Sequence, residues 1–168
     1  GDEIAVCCNG RFGEMWAGFA ASYGLLVHRI VDDWTRNVDA DEVDAFLGEH
    51  PGVRAVAITY CDTSTGVRND VATVCKVARA RNVLVLVDGV SALGGMPFAF
   101  DEWGADVAIT ASQKCLMSSP GLAFVVLSER AWAATATARL TRNYWDFLAV
   151  RNAVTKPRTS KRLGRNES

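Results

Sequence analysis

Two charged side chains follow apolar runs and are the first candidates for chemistry. Lys114 lies in the stretch TASQKCLMSSPG, and Asp88 ends the run LVLVD. A partly desolvated lysine amine is a nucleophile that can form a Schiff base with a carbonyl group. A carboxylate at the end of an apolar run is costly to desolvate and needs a cationic or hydrogen-bonding partner. Taken separately, the two residues are explained as well by an exposed loop lysine and a turn-capping aspartate.

Taken together, the two residues indicate a particular cofactor. Pyridoxal phosphate enzymes need a lysine for the imine and an acid that faces the pyridinium nitrogen. The acid keeps that nitrogen protonated, so that the ring accepts electrons when a bond to the substrate α-carbon breaks. Asp88 at one strand end and Lys114 beyond a later strand provide this pair.

The elements that must position this pair form an alternation of strands and helices. Runs that are apolar on both faces predict buried strands. These strands are predicted at 3–8, 53–60, 83–88, 106–112 and 122–128, the last without an assigned direction. Helices are predicted at 13–24, 40–50, 70–81 and 129–140, with Asp39 and Asp70 at the starts of the second and third. The alternation predicts an α/β fold, with a mainly parallel sheet flanked by helices.

Polar clusters follow four of the predicted strands. They are found at 9–13, 62–66, 88–91 and 112–114. Ligands of parallel sheets collect at the carboxyl ends of the strands. Chance would scatter polar residues over both ends of the sheet, so this convergence predicts a binding site at one edge.

The composition excludes several classes of protein. The chain has 168 residues, 49% of them hydrophobic and 22% charged, which is typical of one globular domain or part of a larger one. Without an apolar run of about 20 residues or a basic leader, we expect a cytoplasmic protein with no membrane partner. Five cysteines without CxxC pairs predict buried free thiols, and two isolated histidines predict no metal site.

Residues 151–168 form a basic tail, in which six lysines and arginines face the single acid Glu167. Such a tail can bind nucleic acid through phosphate contacts. It contains no aromatic residue that would stack on bases. We therefore predict a disordered C-terminal segment and do not expect a nucleic-acid partner.

Longer motifs resemble those of a known family. They are NGRFGEMW (9–16), CDTSTGVRNDV (61–71), VDGVSALGGMPFAFDEWGADV (87–107), SQKCLMSSPGLAFVVLSERAW (112–132) and RNYWD (142–146). In order and content they resemble the class V aminotransferases of fold type I, in the alanine–glyoxylate and serine–pyruvate branch. The resemblance implies that 1–150 is part of the large pyridoxal-phosphate-binding domain of a homodimer. The implied reaction moves an amino group from alanine or serine to glyoxylate or pyruvate.

The resemblance also implies roles for individual residues. Lys114 would bind the cofactor aldehyde and then carry the substrate α-proton, and Asp88 would pair with the ring nitrogen. Phe12 would stack on one face of the ring, and Val90 would pack on the opposite face. Thr63 would lie near the ring hydroxyl.

One further role concerns the cofactor phosphate, which Gln113 would reach. The family's phosphate-cradling helix and its substrate-binding arginine belong to segments that we expect to be missing from this chain at its two ends. We therefore expect weak cofactor binding and poor transamination by the chain alone. Two alternatives remain: a 2-aminoethylphosphonate-type aminotransferase of the same fold, and a non-catalytic module for binding or oligomerisation.

Overall fold

The computed structural model describes residues 1–31 and 33–155, and its centre is one six-stranded sheet. The strands are β1 (Glu3–Cys7), β2 (Leu26–Ile30), β3 (Val53–Thr59), β4 (Leu84–Asp88), β5 (Val107–Ala111) and β6 (Ala123–Leu127). Their order across the sheet is β2-β1-β3-β4-β5-β6. Neighbouring strands are parallel except for β5 and β6, which are antiparallel. The predicted α/β fold with a mainly parallel sheet is confirmed.

Helices connect most of the parallel strands. They are α1 (Arg11–Ser22), α2 (Ala40–Glu49), α3 (Val71–Ala80), α4 (Phe100–Trp103), α5 (Glu129–Thr137) and α6 (Phe147–Thr155). The two predicted caps are confirmed, since the Asp39 side chain accepts from the Asp41 amide and the Asp70 side chain accepts from the Thr73 amide. None of the helices in the described part of the chain is long and apolar enough to cross a bilayer.

Both faces of the sheet are covered at its centre. One face packs against α2 and α3, with a core that includes Val43, Leu47, Val56, Ile58, Val74, Val85 and Val87. The other face packs against α1, with a smaller core that includes Ile4, Val6, Ala17, Ala20 and Ala57. Because side chains are buried on both sides, the central strands appear in the sequence as continuous apolar runs.

Three elements were not predicted from the sequence. β2 is an edge strand whose residues His28 and Arg29 interrupt the apolar run. α4 is a single turn of four residues. α6 crosses the domain boundary predicted at residue 150, so residues 151–155 are helical. The remainder of the predicted disordered tail, 156–168, lies outside the described residues.

The direction of β6 follows from the length of its connection. Residues 112–122 join it to β5, and a parallel partner would need a crossover of about a dozen residues or more, usually with a helix. The connection instead turns back directly, and it carries Lys114. Because β5 is parallel to β4, this loop lies at the same edge of the sheet as the ends of β1, β3 and β4.

Candidate active site

The site is built at the carboxyl edge of the sheet. β3 and β4 pair in register, with Thr59 opposite Asp88, and β4 and β5 pair with Asp88 opposite Ile109. The loops that follow β3, β4 and β5 therefore begin side by side. The predicted convergence of polar residues at one edge matches this arrangement.

Asp88 is the charged group at the centre of this edge. Its side chain is almost fully enclosed, with the residue 7% exposed. Oδ1 accepts a hydrogen bond from the Val90 amide at 3.0 Å, and Oδ2 accepts one from the Trp16 indole Nε1 at 2.9 Å. Both donors are uncharged, and within the described residues no lysine, arginine or histidine forms an ion pair with this carboxylate. The negative charge is thus held without a cation from the described chain.

Ser112 fixes the loop that carries Lys114. Its buried hydroxyl donates to the Ser119 carbonyl at 2.7 Å and accepts from the Leu122 amide at 3.3 Å. Its backbone amide donates to the Leu122 carbonyl, and its carbonyl accepts from the Ser118 amide, both at 3.0 Å. Lys114 follows two residues later with an exposed side chain. The loop is therefore anchored at its base while the lysine amine is free to meet a ligand.

Side-chain contacts join the loops to one another. The Thr63 hydroxyl, after β3, is hydrogen-bonded to the Ser91 hydroxyl, after β4. The Cys115 thiol, next to Lys114, donates to the Ser91 carbonyl at 3.5 Å. Three strand ends are thereby connected through Ser91, and the predicted residue Thr63 belongs to the same group of loops as Lys114.

Asp62 positions Phe12 by accepting a hydrogen bond from its backbone amide. Its side chain is fully buried, and its Oδ2 accepts from the amides of Phe12 at 2.9 Å and Gly13 at 3.4 Å. Its Oδ1 accepts from the amide and the hydroxyl of Ser64 at 3.0 and 2.7 Å. These bonds satisfy free amides in the first turn of α1, where a negative charge is stabilising. The amides of Phe12 and Gly13 at this helix terminus are therefore already bound by Asp62.

A buried pair of asparagines holds the neighbouring loops together. Asn9, after β1, donates to the Asn69 Oδ1 at 2.8 Å, and Asn69 donates to the Thr59 carbonyl at 2.7 Å. The Asn69 Oδ1 also accepts from the Val38 amide at 2.8 Å. This network stiffens the frame around the site and takes no part in the predicted contacts with a ligand.

The predicted site residues differ in their surroundings. Asp88 is buried, Phe12 and Val90 are half-buried, and the remaining three, Thr63, Gln113 and Lys114, are exposed. Phe12 lies in the first turn of α1, whereas the sequence predicted the helix to begin at residue 13. The Val90 amide donates a hydrogen bond to Asp88, and the Thr63 hydroxyl is hydrogen-bonded to the Ser91 hydroxyl.

Three residues near the site were given no role by the sequence analysis. They are Trp16, Asp62 and Ser112. Asp62 and Ser112 were visible as members of the polar clusters that follow strands, and a carboxylate two residues before a serine is a common turn pattern. Trp16 had no such signal, because the hydrogen bond from its indole to Asp88 joins residues that are 72 positions apart.

The polar groups at this edge suit a cationic aromatic ring. A protonated ring nitrogen would give the enclosed Asp88 carboxylate the charged partner that the described residues do not provide. The Thr59 hydroxyl lies beside Asp88 on the adjacent strand, is 3% exposed, and has no hydrogen-bond partner among the described residues. Buried polar groups without a partner are rare in proteins, and this one lies next to the carboxylate at the centre of the site.

Comparison with known proteins shows the family of the chain. Residues 1–161 match the family model described as aminotransferase class-V. The chain is 40% identical over 151 residues to L-aspartate–glyoxylate aminotransferase of Paracoccus denitrificans, covering 88% of this chain and 38% of that protein. It is also 40% identical over 162 residues to a protein of Synechococcus sp. named soluble hydrogenase, small subunit, covering 95% of this chain and 42% of that one.

A solved structure supports the same assignment. The alanine–glyoxylate aminotransferase of Nostoc sp. superimposes with a TM-score of 0.85 at 32% identity, covering 90% of this chain and 41% of that chain. The present chain thus spans about two fifths of the length of these relatives.

Proposed function

The chain belongs to the class V aminotransferase family, and from this membership we propose that it supplies the cofactor-binding centre of a pyridoxal-phosphate-dependent aminotransferase. The observation that carries the proposal is the state of Asp88. An enclosed carboxylate at the end of a central strand, with two neutral donors and no cation among the described residues, fits a ligand that brings its own positive charge.

Lys114 and Asp88 have complementary tasks in this proposal. When bound, pyridoxal phosphate supplies an electron-accepting ring, which stabilises the charge left when the substrate loses its α-proton. The Lys114 amine would hold the cofactor through its aldehyde until a substrate amine displaces it, and the freed Nζ atom would then remove the α-proton and return it. The Asp88 carboxylate would accept a hydrogen bond from the protonated ring nitrogen and would keep the positive charge there.

The other predicted residues orient the cofactor. The half-buried side chains of Phe12 and Val90 would lie on opposite faces of the ring and fix its plane, which decides the bond that breaks. The Thr63 hydroxyl would lie near the ring hydroxyl, and Gln113 would reach the phosphate. Gln113 is exposed, as a group that contacts a ligand at the mouth of the site should be.

We further propose a small amino acid and a 2-oxo acid as substrates. The two aminotransferases named above both have glyoxylate in their names, one with aspartate and one with alanine. This favours glyoxylate as the amino acceptor, with alanine or serine as the predicted donor. A 2-aminoethylphosphonate-type reaction is the alternative, and parallel assays with alanine, serine, aspartate and 2-aminoethylphosphonate would separate the candidates.

The test of the cofactor proposal is covalent trapping. The chain is incubated with pyridoxal phosphate, reduced with borohydride, digested and mapped by mass spectrometry. We expect the adduct at Lys114, its loss in Lys114→Arg, and its persistence in the matched control Lys76→Arg, since Lys76 lies on α3 away from the carboxyl edge. An adduct distributed over surface lysines, unaffected by Lys114→Arg, would refute the assignment.

Oligomeric state tests the remaining alternative. Light scattering coupled to size exclusion, with and without pyridoxal phosphate, measures whether the chain forms the predicted homodimer. A monomer without any cofactor absorbance band would favour a non-catalytic module over an aminotransferase.

A further inference from the structure

Trp16 is the one tryptophan of the described residues that reaches the candidate site through its polar atom. It lies on α1 with its ring half-buried against the smaller core, next to Ala17 and Ala20. A phenylalanine would fill most of this space equally well. Tryptophan differs from phenylalanine by its indole N–H. In Trp16 this group donates a hydrogen bond to Asp88 Oδ2, with an N···O distance of 2.9 Å.

The indole and a backbone amide together fix the Asp88 carboxylate. Oδ2 is held by Trp16 and Oδ1 by the Val90 amide at 3.0 Å, so each oxygen has one donor. With both oxygens engaged, rotation of the carboxylate about its Cβ–Cγ bond breaks a hydrogen bond. Without the indole, a single backbone bond would hold one oxygen and the other would be free to turn.

The character of the donor matters as much as its position. The indole N–H is a donor only and carries no charge. It therefore orients the carboxylate without neutralising it, whereas a lysine or arginine in this place would compete with a cationic ligand for the same charge. Carboxylate oxygens accept more than one hydrogen bond each, so acceptor capacity remains for a ring nitrogen.

From this geometry we infer that Trp16 is a positioning residue for the proposed reaction: its indole N–H holds the Asp88 carboxylate in the orientation that receives the cofactor's ring nitrogen. The inference rests on the proposed function for the identity of the ligand. The contact itself belongs to the chain and can be measured without any ligand.

The first experiment observes the contact directly. In the ¹⁵N-labelled chain, each tryptophan indole gives one resonance, which Trp→Phe variants assign. We expect Asp88→Ala to shift the Trp16 indole resonance and to leave that of Trp103 in place, because Trp103 packs against Tyr60 and Phe98. A Trp16 resonance that does not move would overturn the inference.

The second experiment measures the consequence for the cofactor. Titration with pyridoxal phosphate is expected to give about tenfold weaker binding for Trp16→Phe than for the control Trp103→Phe, since a hydrogen bond to a charged group is lost. Replacing Trp16 by benzothienylalanine, which keeps the shape of the ring and substitutes sulfur for the N–H, is expected to weaken binding equally. Equal binding by the two phenylalanine variants, or normal binding by the benzothienylalanine variant, would contradict the positioning role.

The two experiments fail in different ways. If the unsubstituted chain does not bind pyridoxal phosphate, the proposed function is overturned. The indole resonance still decides whether Trp16 holds Asp88.

Discussion

Replacing Gly13 by alanine is expected to destabilise the fold, although glycine-to-alanine changes usually stabilise helices. Gly13 lies in the first turn of α1, where the helix comes closest to the end of β1. An added Cβ would lie 2.3 Å from the Cys7 carbonyl oxygen and 3.0 Å from the Cys8 Cα. Both are backbone atoms and cannot rotate aside, so α1 would have to move away from the sheet.

The magnitude follows from two opposing effects. Alanine gains up to about 1 kcal/mol over glycine in a helix interior, and less in the first turn. Forcing an extra carbon into a closely packed site costs about 1–3 kcal/mol. Steric overlap with the backbone therefore dominates, and we expect a net loss of about 1–2 kcal/mol in the free energy of unfolding.

The same helix provides the control. Gly18 is exposed in the interior of α1, and a Cβ added there meets no atom within 4 Å. Gly18→Ala should therefore stabilise the chain by up to about 1 kcal/mol. Urea unfolding followed by circular dichroism measures both variants. A Gly13→Ala chain at least as stable as the unsubstituted one would refute the packing argument.

Three further outcomes are expected. Asp62→Ala should lower the free energy of unfolding by about 2 kcal/mol or more, since it leaves amides of the first turn of α1 without an acceptor, and Asp62→Asn should lose less; urea titration measures both. Burial raises the pKa of the Cys75 thiol to about 12, so iodoacetamide at neutral pH should modify the half-exposed Cys115 before Cys75, as peptide mapping would detect. Hydrogen bonds from Arg81 lower the pKa of Asp44 below its ordinary 3.8. The stability that this pair contributes is therefore present above that value and lost as pH falls through the folded-state pKa, so the urea midpoints of the unsubstituted chain and Asp44→Asn should converge in acid; a constant difference would contradict this.

The positions of the central strands, and the edge of the sheet that carries the site, could be predicted from the sequence because burial determines which residues are apolar. β1, β3 and β4 are covered on both faces, so burial leaves a continuous apolar run in the sequence. Where each run stops, polar residues such as Asp88 mark the carboxyl end. Side chains that depend on this local signal, including Lys114, could be assigned to one edge before the structure was known.

Contacts between distant segments left no comparable signal. The pairing of Trp16 with Asp88 depends on how α1 lies across the sheet, and the pairing of Asn9 with Asn69 depends on the order of β1 and β3. β2 was missed because it is an edge strand with polar residues in its middle. The antiparallel direction of β6 was open to prediction, since its short connection to β5 excludes a helical crossover.

The sixth strand also affects how this chain behaves in concentrated solution. β6 is the outer strand of the sheet, and its residues Phe124, Val125 and Val126 are 44%, 41% and 49% exposed. Among the described residues no strand pairs with its outer side, so a row of open N–H and C=O groups lies between apolar side chains on both faces. Long apolar edges of this kind recruit other extended chains and promote aggregation. We therefore expect the chain by itself to self-associate as its concentration rises, and a charged substitution such as Val125→Lys to suppress this.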